Sequence, residues 1–154
     1  MNSKPNVKGN PLKISVYILP ILYFIGEFLI PKYPLIYFLN LFGILGLILS
    51  LFFFFNGFNL FSSYKENPLP NTESSRLIKT GIFAYTRNPI YISFVLFHLS
   101  MFFVFENVMY LLSTFALYIW LHNFVIKKEE DYLFNKFGDE YNRYCESVKR
   151  WMFF

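Results

Sequence analysis

The chain has 154 residues, of which 55% are hydrophobic and 23% aromatic, whereas only 16% carry a charge. Soluble proteins carry about 25% charged residues, and a soluble domain of this length could not bury so much apolar surface. The composition therefore excludes an ordinary soluble protein and predicts a single domain, residues 1–154, that lies in a membrane.

The formal net charge of +4 does not indicate a nucleic-acid partner. The basic residues lie between apolar runs and do not form a basic face with interleaved aromatic side chains. The single cysteine, Cys145, excludes an intrachain disulfide, and no Cys/His cluster has the spacing of a structural zinc site. We therefore expect neither nucleic acid nor a metal ion as a partner.

Two apolar runs in the first half of the chain predict the first two transmembrane helices. Residues 14–30 and residues 35–55 are almost entirely apolar. At about 1.5 Å per residue, each run can cross most of a hydrocarbon core of about 30 Å. A polar break at residues 31–34 separates them. Gly43 and Gly46 in the second run predict a place where a neighbouring helix approaches closely.

The middle of the chain changes character before two more apolar runs. Residues 56–88 contain charges, prolines and a Ser/Thr-rich stretch, which predict a long aqueous loop. Residues 90–105 and 108–126 are apolar again and predict the third and fourth transmembrane helices. Only Glu106 and Asn107 separate these two runs, so we expect a tight helical hairpin.

The last stretch, residues 127–154, is charged but keeps an amphipathic pattern. Its bulky residues recur at steps of four, four, three and four, as on one face of a helix. These residues are Leu133, Phe137, Tyr141, Tyr144 and Val148. We expect Gly138 to stop one helix and Asp139 to cap the next. The sequence thus predicts an all-α integral membrane protein with about four transmembrane helices and a C-terminal cap of amphipathic helices.

The segment before the third predicted helix carries groups that suit an anion. Asn88 is a favoured N-cap residue, and Pro89 suits the first helical position. The free N–H groups and the positive dipole end of the helix would face water beside the guanidinium of Arg87. The alternative is that Arg87 only reaches lipid phosphates and that Asn88 and Pro89 only start a helix.

Two adjacent carboxylates, Glu129 and Glu130, follow the fourth predicted helix. In a positively charged juxtamembrane region such a pair favours a cationic ligand, although an ordinary solvated charge run would look the same. Glu130 lies three residues before Leu133 and shares the inward stripe, whereas Glu129 points about 100 degrees away. We therefore expect Glu130 to be the ligand contact. His122, two turns earlier, is a further candidate to line the same cleft.

One histidine lies inside an apolar run. His98 is midway along the third predicted helix, where an ionisable residue is rare and is often functional. A hydrogen bond to a neighbouring helix is the alternative, and it is the interpretation that we favour.

Taken together, the three C-terminal segments resemble the isoprenylcysteine carboxyl methyltransferase and phospholipid methyltransferase superfamily of membrane enzymes. The resemblance covers residues 68–151. It rests, in order, on Gly81, Arg87-Asn88-Pro89-Ile90-Tyr91, Glu129-Glu130, Phe137-Gly138, Tyr141, Tyr144, Val148 and Arg150-Trp151. The eukaryotic enzymes carry His where this chain has Asn88, so the chain is similar to the bacterial branch. That departure weakens the case for a prenylated cysteine substrate and places the expected location in the inner membrane of the cell.

This resemblance implies a methyltransferase that uses S-adenosylmethionine and modifies a lipid or another lipophilic acceptor. The C-terminal helices would then form a cofactor pocket. The expected cofactor-binding residues are Gly81, Arg87, Asn88, Pro89, Tyr91, His122, Glu129 and Glu130, and the expected catalytic residues are Arg87, Glu130 and Tyr141. The chemistry of the side chains agrees, because Arg87 and a helix N-terminus suit the cofactor carboxylate, and a glutamate suits its cationic or ribose end.

Two other functions stay open. Membrane reductases of the sterol reductase type have a similar carboxyl-terminal region and use NADPH. They tend to place Asn and then Tyr after the Pro, and a Glu soon after the Tyr, whereas here Ile90 precedes Tyr91 and Ile92-Ser93 follow. A non-enzymatic membrane scaffold would not need Arg87 or Glu130, and both are present.

The distribution of positive charge predicts the orientation in the membrane. Except for Lys32, every Lys and Arg lies near the amino terminus, in the middle loop or in the C-terminal region. Since positively charged loops stay on the cytoplasmic side, we expect both termini there. A reporter fused after Phe154 should be active only in the cytoplasm, and activity on the opposite side would contradict this topology.

Overall fold

The structure, a computed structural model, describes residues 4, 5, 7, 9–30 and 37–152, apart from the side chains of residues 37 and 38. Within these residues the chain is helical and contains no strand, as expected for an all-α protein. The helices are α1 (Pro11–Phe28), α2 (Tyr37–Ser63), a short 3-10 helix (Gly81–Ala84), α3 (Pro89–Phe105), α4 (Val108–Trp120), α5 (Lys127–Phe137) and α6 (Asp139–Ser147). A π-helical segment, Leu121–Ile126, joins α4 to α5 without a break.

Three of the described helical stretches are long and apolar enough to cross a membrane. They are Pro11–Phe28, Leu39–Ser63 and Val108–Phe137, and a shorter apolar helix, Pro89–Phe105, lies beside them. Their outward faces expose large apolar side chains such as Ile21, which an aqueous surface would not favour. The chain is therefore an integral membrane protein of helices, and its three long apolar helices and one shorter apolar helix correspond to the four that the sequence predicted.

The ends of two helices differ from the sequence prediction. Helix α1 begins at Pro11 rather than at residue 14, because Asn10 caps it by accepting a hydrogen bond from the Leu12 amide (3.0 Å). Helix α2 continues to Ser63 rather than ending at residue 55, since no proline interrupts it before Pro68. The polar break predicted at residues 31–34 lies outside the described residues.

The fourth predicted span also continues further than expected. No loop follows residue 126, and the rod of α4, the π-helical segment and α5 runs to Phe137. Gly138, with a φ of +53°, then ends α5. The predicted stop at Gly138 is confirmed, but Gly138 itself takes the N-cap position of α6, and Asp139 is the first helical residue. The cap is thus supplied by a turn of the backbone and not by the Asp139 side chain.

The hairpin between α3 and α4 is as tight as predicted. Glu106 adopts the left-handed conformation at the end of α3, with a φ of +53°. The side chain of Asn107 accepts a hydrogen bond from the Met109 amide (2.9 Å) and caps α4. Two residues are therefore enough to reverse the chain.

Three helices meet at His98, which is fully buried. Its Nδ1 lies 2.8 Å from Ser113 Oγ on α4, and its Nε2 lies 3.0 Å from Ser15 Oγ on α1. These contacts satisfy both ring nitrogens inside the bundle. The interpretation of His98 as a hydrogen-bonded link between helices is confirmed.

The predicted stripe of bulky residues joins α6 to α5. Tyr141, Tyr144 and Val148 form a buried cluster, against which Leu133 and Phe137 pack. Their burial on one face follows from the amphipathic period of this part of the chain. The cap therefore closes over the end of the bundle at which α3 begins.

Close contact between α2 and α3 depends on the two glycines predicted from the sequence. A Cβ atom on Gly43 would lie 2.8 Å from Val104 Cγ2 and 3.0 Å from the Val104 backbone nitrogen. A Cβ atom on Gly46 would lie 2.3 Å from Ser100 Oγ. The predicted close approach is confirmed at both positions.

We expect Gly43→Ala to destabilise the protein. Alanine favours a helix over glycine by about 1 kcal/mol, but overpacking against backbone costs about 1–3 kcal/mol. Thermal unfolding in detergent should show a lower midpoint for this variant. Leu45→Ala is the control, because Leu45 faces outward on the same helix. A midpoint for Gly43→Ala equal to or above that of the natural protein would contradict this packing.

Candidate functional site

A cavity lies at the end of the bundle, between the beginning of α3, the first two turns of α5 and helix α6. It has a volume of about 130 Å³, and residues 67–70 of the connecting segment lie over it. It brings together most of the residues predicted from the sequence, namely Arg87, Asn88, Pro89, Tyr91, Glu129, Glu130 and Tyr141. These residues come from three parts of the chain, so the cavity exists only in the folded protein.

The turn that carries Arg87 and Asn88 is held by the C-terminal segment, residues 148–151. The Arg87 amide donates to the Lys149 carbonyl oxygen (3.0 Å), and Asn88 Nδ2 donates to the Arg150 carbonyl oxygen (3.0 Å). Thr86 Oγ1 donates to the same Arg150 oxygen (3.2 Å). This part of the chain is therefore fixed by backbone carbonyl groups about sixty residues away in sequence.

Asn88 occupies the N-cap position of α3, as predicted, but its side chain caps nothing. The amide group points instead to Arg150, which offers a carbonyl acceptor at hydrogen-bonding distance. Pro89 is at the start of the helix, where its missing N–H is harmless. The prediction that the Asn88 side chain caps α3 was therefore wrong, and α3 begins without a side-chain cap.

Glu130 lies between two guanidinium groups. Its Oε1 is 3.3 Å from Arg87 Nη2 and accepts a hydrogen bond from Arg150 Nε (3.0 Å). Its Oε2 contacts Arg150 Nη2, so Arg150 binds the carboxylate with two nitrogens. The side chains of Arg87 and Glu130 are only 12% and 15% exposed. One carboxylate thus ties together the turn before α3, helix α5 and the C-terminal segment.

Arg87 keeps one donor that no described group satisfies. Its Nη2 pairs with Glu130 and its Nη1 contacts Cys145 Sγ, but its Nε is buried and has no hydrogen-bond partner in the described part of the chain. A buried donor without a partner costs about 1–3 kcal/mol. Arg87 is also one of the residues that line the cavity.

Glu129 also lines the cavity, although the helical angle between adjacent residues predicted that it would face away. Its Oε1 accepts a hydrogen bond from the Tyr91 hydroxyl (2.8 Å) on α3. Helix α3 thus contacts α5 at Glu129, and the C-terminal segment contacts it at Glu130. Both glutamates therefore stay candidates for ligand contact.

Two tyrosines of α6 complete the wall. Burial raises the pKa of Tyr141 well above its usual value, and the negative charge of Glu130 raises it further. Burial likewise raises the pKa of Tyr144, whose hydroxyl donates to the Phe83 carbonyl oxygen (2.7 Å). Both rings are neutral phenols at physiological pH, so Tyr141 can donate a hydrogen bond but cannot serve as a phenolate base.

Two of the predicted site residues do not line the cavity. Gly81 has a φ of +57° and opens the 3-10 helix, and a Cβ atom there would lie 2.7 Å from Leu60 Cδ1. Its contribution is to the turn that brings Phe83 to the cavity wall. His122 faces the C-terminal segment, where it contacts Arg150 and Trp151.

Sequence reasoning did not find the covering segment, residues 67–74, most of which line the cavity. The Ser74 amide donates to the Tyr132 hydroxyl (3.2 Å), and Lys136 Nζ pairs with Glu73 Oε1 (2.6 Å). The Pro-rich, polar composition of this segment gave no sign of what it contacts. The sequence analysis also did not predict the ion pair between Arg150 and Glu130. Arg150 and Trp151 are among the residues that carry the family resemblance, and that was the available signal.

These features define an integral membrane protein of helices with a charged cavity at one end of its bundle. The chain belongs to the phospholipid methyltransferase family, because the sequence model of that family matches residues 38–140. The resemblance inferred from the sequence is thereby confirmed, since this family is part of the isoprenylcysteine and phospholipid methyltransferase superfamily.

Comparison with individual proteins adds little to the family match. A protein of Haemophilus influenzae described as an uncharacterized protein is 53% identical over 32 residues, which are 21% of this chain and 51% of that protein. The chain thus spans about half the length of this curated relative. No solved structure matches the chain.

Proposed function

We propose that this protein is an S-adenosylmethionine-dependent methyltransferase that modifies a lipid or another lipophilic acceptor at the membrane. One observation carries the proposal. Arg87, Glu129 and Glu130 line one cavity at the end of a membrane-embedded bundle, and Arg87 keeps a buried Nε without a partner among the described residues. Membership in the phospholipid methyltransferase family supports the reaction class.

The residues around the cavity fit the charge pattern of this cofactor. Arg87 Nε would donate to the cofactor carboxylate, and the uncapped start of α3 would add backbone N–H groups. Glu129 or Glu130 would accept from the ammonium or ribose hydroxyl groups. When bound, S-adenosylmethionine supplies a methyl group on a sulfonium that a nucleophile can take directly.

The protein itself has little covalent work to do in such a transfer. Its residues hold the reactants in line and exclude water, and an acceptor atom is best held about 3 Å from the carbon that it attacks. Tyr141, as a neutral phenol, would orient a polar group by donating a hydrogen bond. The acceptor would reach the cavity from the apolar side, because the bundle lies in lipid.

The volume of the cavity bears on how a cofactor enters. Pockets for ligands of this size usually measure about 300–1,000 Å³, more than the 130 Å³ found here. The covering segment must therefore move to admit a whole cofactor. The Ser74 amide and the Glu73 carboxylate, which bond to Tyr132 and Lys136, connect this segment to α5.

The charge of the cavity bears on the alternative nicotinamide cofactor. The basic and acidic residues that line the cavity are Arg76, Arg87, Glu129 and Glu130, so basic residues do not outnumber acidic ones. A zwitterionic ligand matches such a lining better than NADPH, whose phosphates require an excess of positive charge. The scaffold alternative is disfavoured by Arg87 Nε, since a purely structural arginine would gain by pairing this donor.

We expect S-adenosylmethionine, and not NADPH, to stabilise the purified protein. At 100 times the dissociation constant, a ligand that binds only the folded state adds about 2.7 kcal/mol to the free energy of unfolding. The thermal midpoint in detergent should therefore rise with S-adenosylmethionine. A rise with NADPH alone would favour the reductase, and no rise with either ligand would oppose both enzymes.

Glu130→Gln should weaken binding of S-adenosylmethionine about ten- to a hundredfold. The change keeps the shape of the side chain but removes the charge that holds Arg87 and Arg150, and a charge-assisted contact contributes about 1.5–3 kcal/mol. Titration calorimetry measures the effect. Asp131→Asn is the matched control, because Asp131 is the exposed next residue of α5.

Both variants must insert into the membrane and be fully folded at the temperature of the titration before their affinities are compared. With that condition met, equal affinities for Glu130→Gln and the natural protein would remove Glu130 from the site. Glu129 would then be the carboxylate to test.

A further inference from the structure

We propose that His122 is a positioning residue that acts through Arg150 on Glu130 and does not touch the bound cofactor. The inference rests on the proposed function. It assigns His122 a role that differs from the cofactor contact expected from its place in the sequence. His122 is absent from the cavity wall, and its described polar contacts are to the C-terminal segment.

The nitrogen atoms of Arg150 divide between two partners. Nε and Nη2 bind the two carboxylate oxygens of Glu130, and Nη1 lies 3.2 Å from His122 Nε2. The guanidinium is planar, so fixing Nη1 on His122 also fixes the plane in which the other two nitrogens meet Glu130. His122 can thereby set the orientation of a cavity carboxylate from outside the cavity.

The second contact of His122 competes with the first. Trp151 Nε1 donates toward His122 Nδ1 (3.2 Å), and the two rings are stacked with an angle of 11° between their planes. Trp and Arg side chains only donate hydrogen bonds, whereas a neutral imidazole has one acceptor nitrogen. Only one of the two contacts can be a hydrogen bond at a time.

We expect Arg150, the charged donor, to form the hydrogen bond to His122. Hydrogen bonds from a charged group are about twice as strong as those between neutral groups, so Nε2 accepts from Arg150. Trp151 does not need the hydrogen bond to stay in place, since it is buried and packs against the Tyr118 ring, 5.0 Å between centroids, as well as against His122. The geometry therefore makes Arg150 the partner that matters.

Protonation of His122 would abolish the contact, because an imidazolium has two N–H groups and no acceptor. The charged groups that act on this ring are Arg150, from the C-terminal segment, and Lys127 and Glu130, from the continuing helix. A proton on the ring would also place a positive charge against Arg150. Cofactor affinity should accordingly fall as the pH is lowered through the titration of His122.

Three substitutions separate the two contacts. Gln places an amide oxygen near the position of Nε2, Asn places one near Nδ1, and Phe keeps only the stacked ring. We expect His122→Phe and His122→Asn to weaken binding of S-adenosylmethionine about fivefold. His122→Gln should bind within about twofold of the natural protein at neutral pH and should lose the decrease at low pH. Phe124→Leu, on the same turn but exposed and apolar, is the control that should leave both affinity and pH profile unchanged.

A double-variant cycle tests whether His122 works through Arg150. If it does, adding His122→Phe to Arg150→Met should weaken binding no further than Arg150→Met alone. Three results would each overturn the inference. They are an affinity for S-adenosylmethionine that is restored by Asn and not by Gln at position 122, losses of affinity that multiply in the double variant, and an unchanged affinity in His122→Phe.

Thermal unfolding of the natural protein, the two single variants and the double variant, without cofactor, shows whether His122 and Arg150 are in contact. Non-additive shifts of the unfolding midpoint are expected. Failure of the natural protein to bind S-adenosylmethionine would refute the proposed function, whereas additive midpoint shifts would refute the contact itself. The two failures are therefore distinguishable.

Discussion

The carboxylate of Glu130 holds the site together because it lies between the guanidinium groups of Arg87 and Arg150. Removing one partner of a fully buried ion pair costs about 3–5 kcal/mol, and the cost is smaller in this cluster, whose side chains are 12%, 15% and 27% exposed. In this protein the cost would fall on three parts of the chain at once. The turn before α3, helix α5 and the C-terminal segment each contribute one of the three charges, so the cavity depends on their joint presence.

The location of this ion cluster explains why its charges interact strongly. It lies where the helical rod of α4 and α5 passes from apolar to charged sequence, and nearby charges interact more strongly where water is scarce. The π-helical segment Leu121–Ile126 lies just before the two glutamates. Such segments occur frequently at functional sites. Here the segment presents His122 to the C-terminal segment, while the following turn presents Glu129 and Glu130 to the cavity.

Much of the fold follows from the sequence because membrane helices are determined by local composition. Apolar length located the spans, Gly43 and Gly46 located the close packing of α2 on α3, and the stripe ending at Val148 located the fold of the cap. The predicted ends of the helices were less accurate than their predicted locations. Apolar length indicates where lipid surrounds a helix, and helix α2 continues beyond that point until something stops it.

The sequence predicted most of the residues that line the cavity but not the contacts between them. Arg87, Glu129 and Glu130 stood out because charged residues are rare in this chain and these lie at the ends of apolar runs. The carbonyl group of Arg150, which takes the Asn88 side chain away from its capping role, leaves no trace in the local sequence. Helical angle alone placed Glu129 away from the cavity, and only the approach of α3 brings it in. Contacts between distant segments decide such details.

Transfer of a labelled methyl group to an acceptor tests the central claim most directly. Detergent-purified protein would be incubated with methyl-labelled S-adenosylmethionine and a membrane lipid extract, and the products would be separated and identified. The account predicts a labelled lipophilic product whose formation is lost in Arg87→Met. Absence of any labelled product from protein that is folded and binds the cofactor, or equal labelling by Arg87→Met, would contradict it.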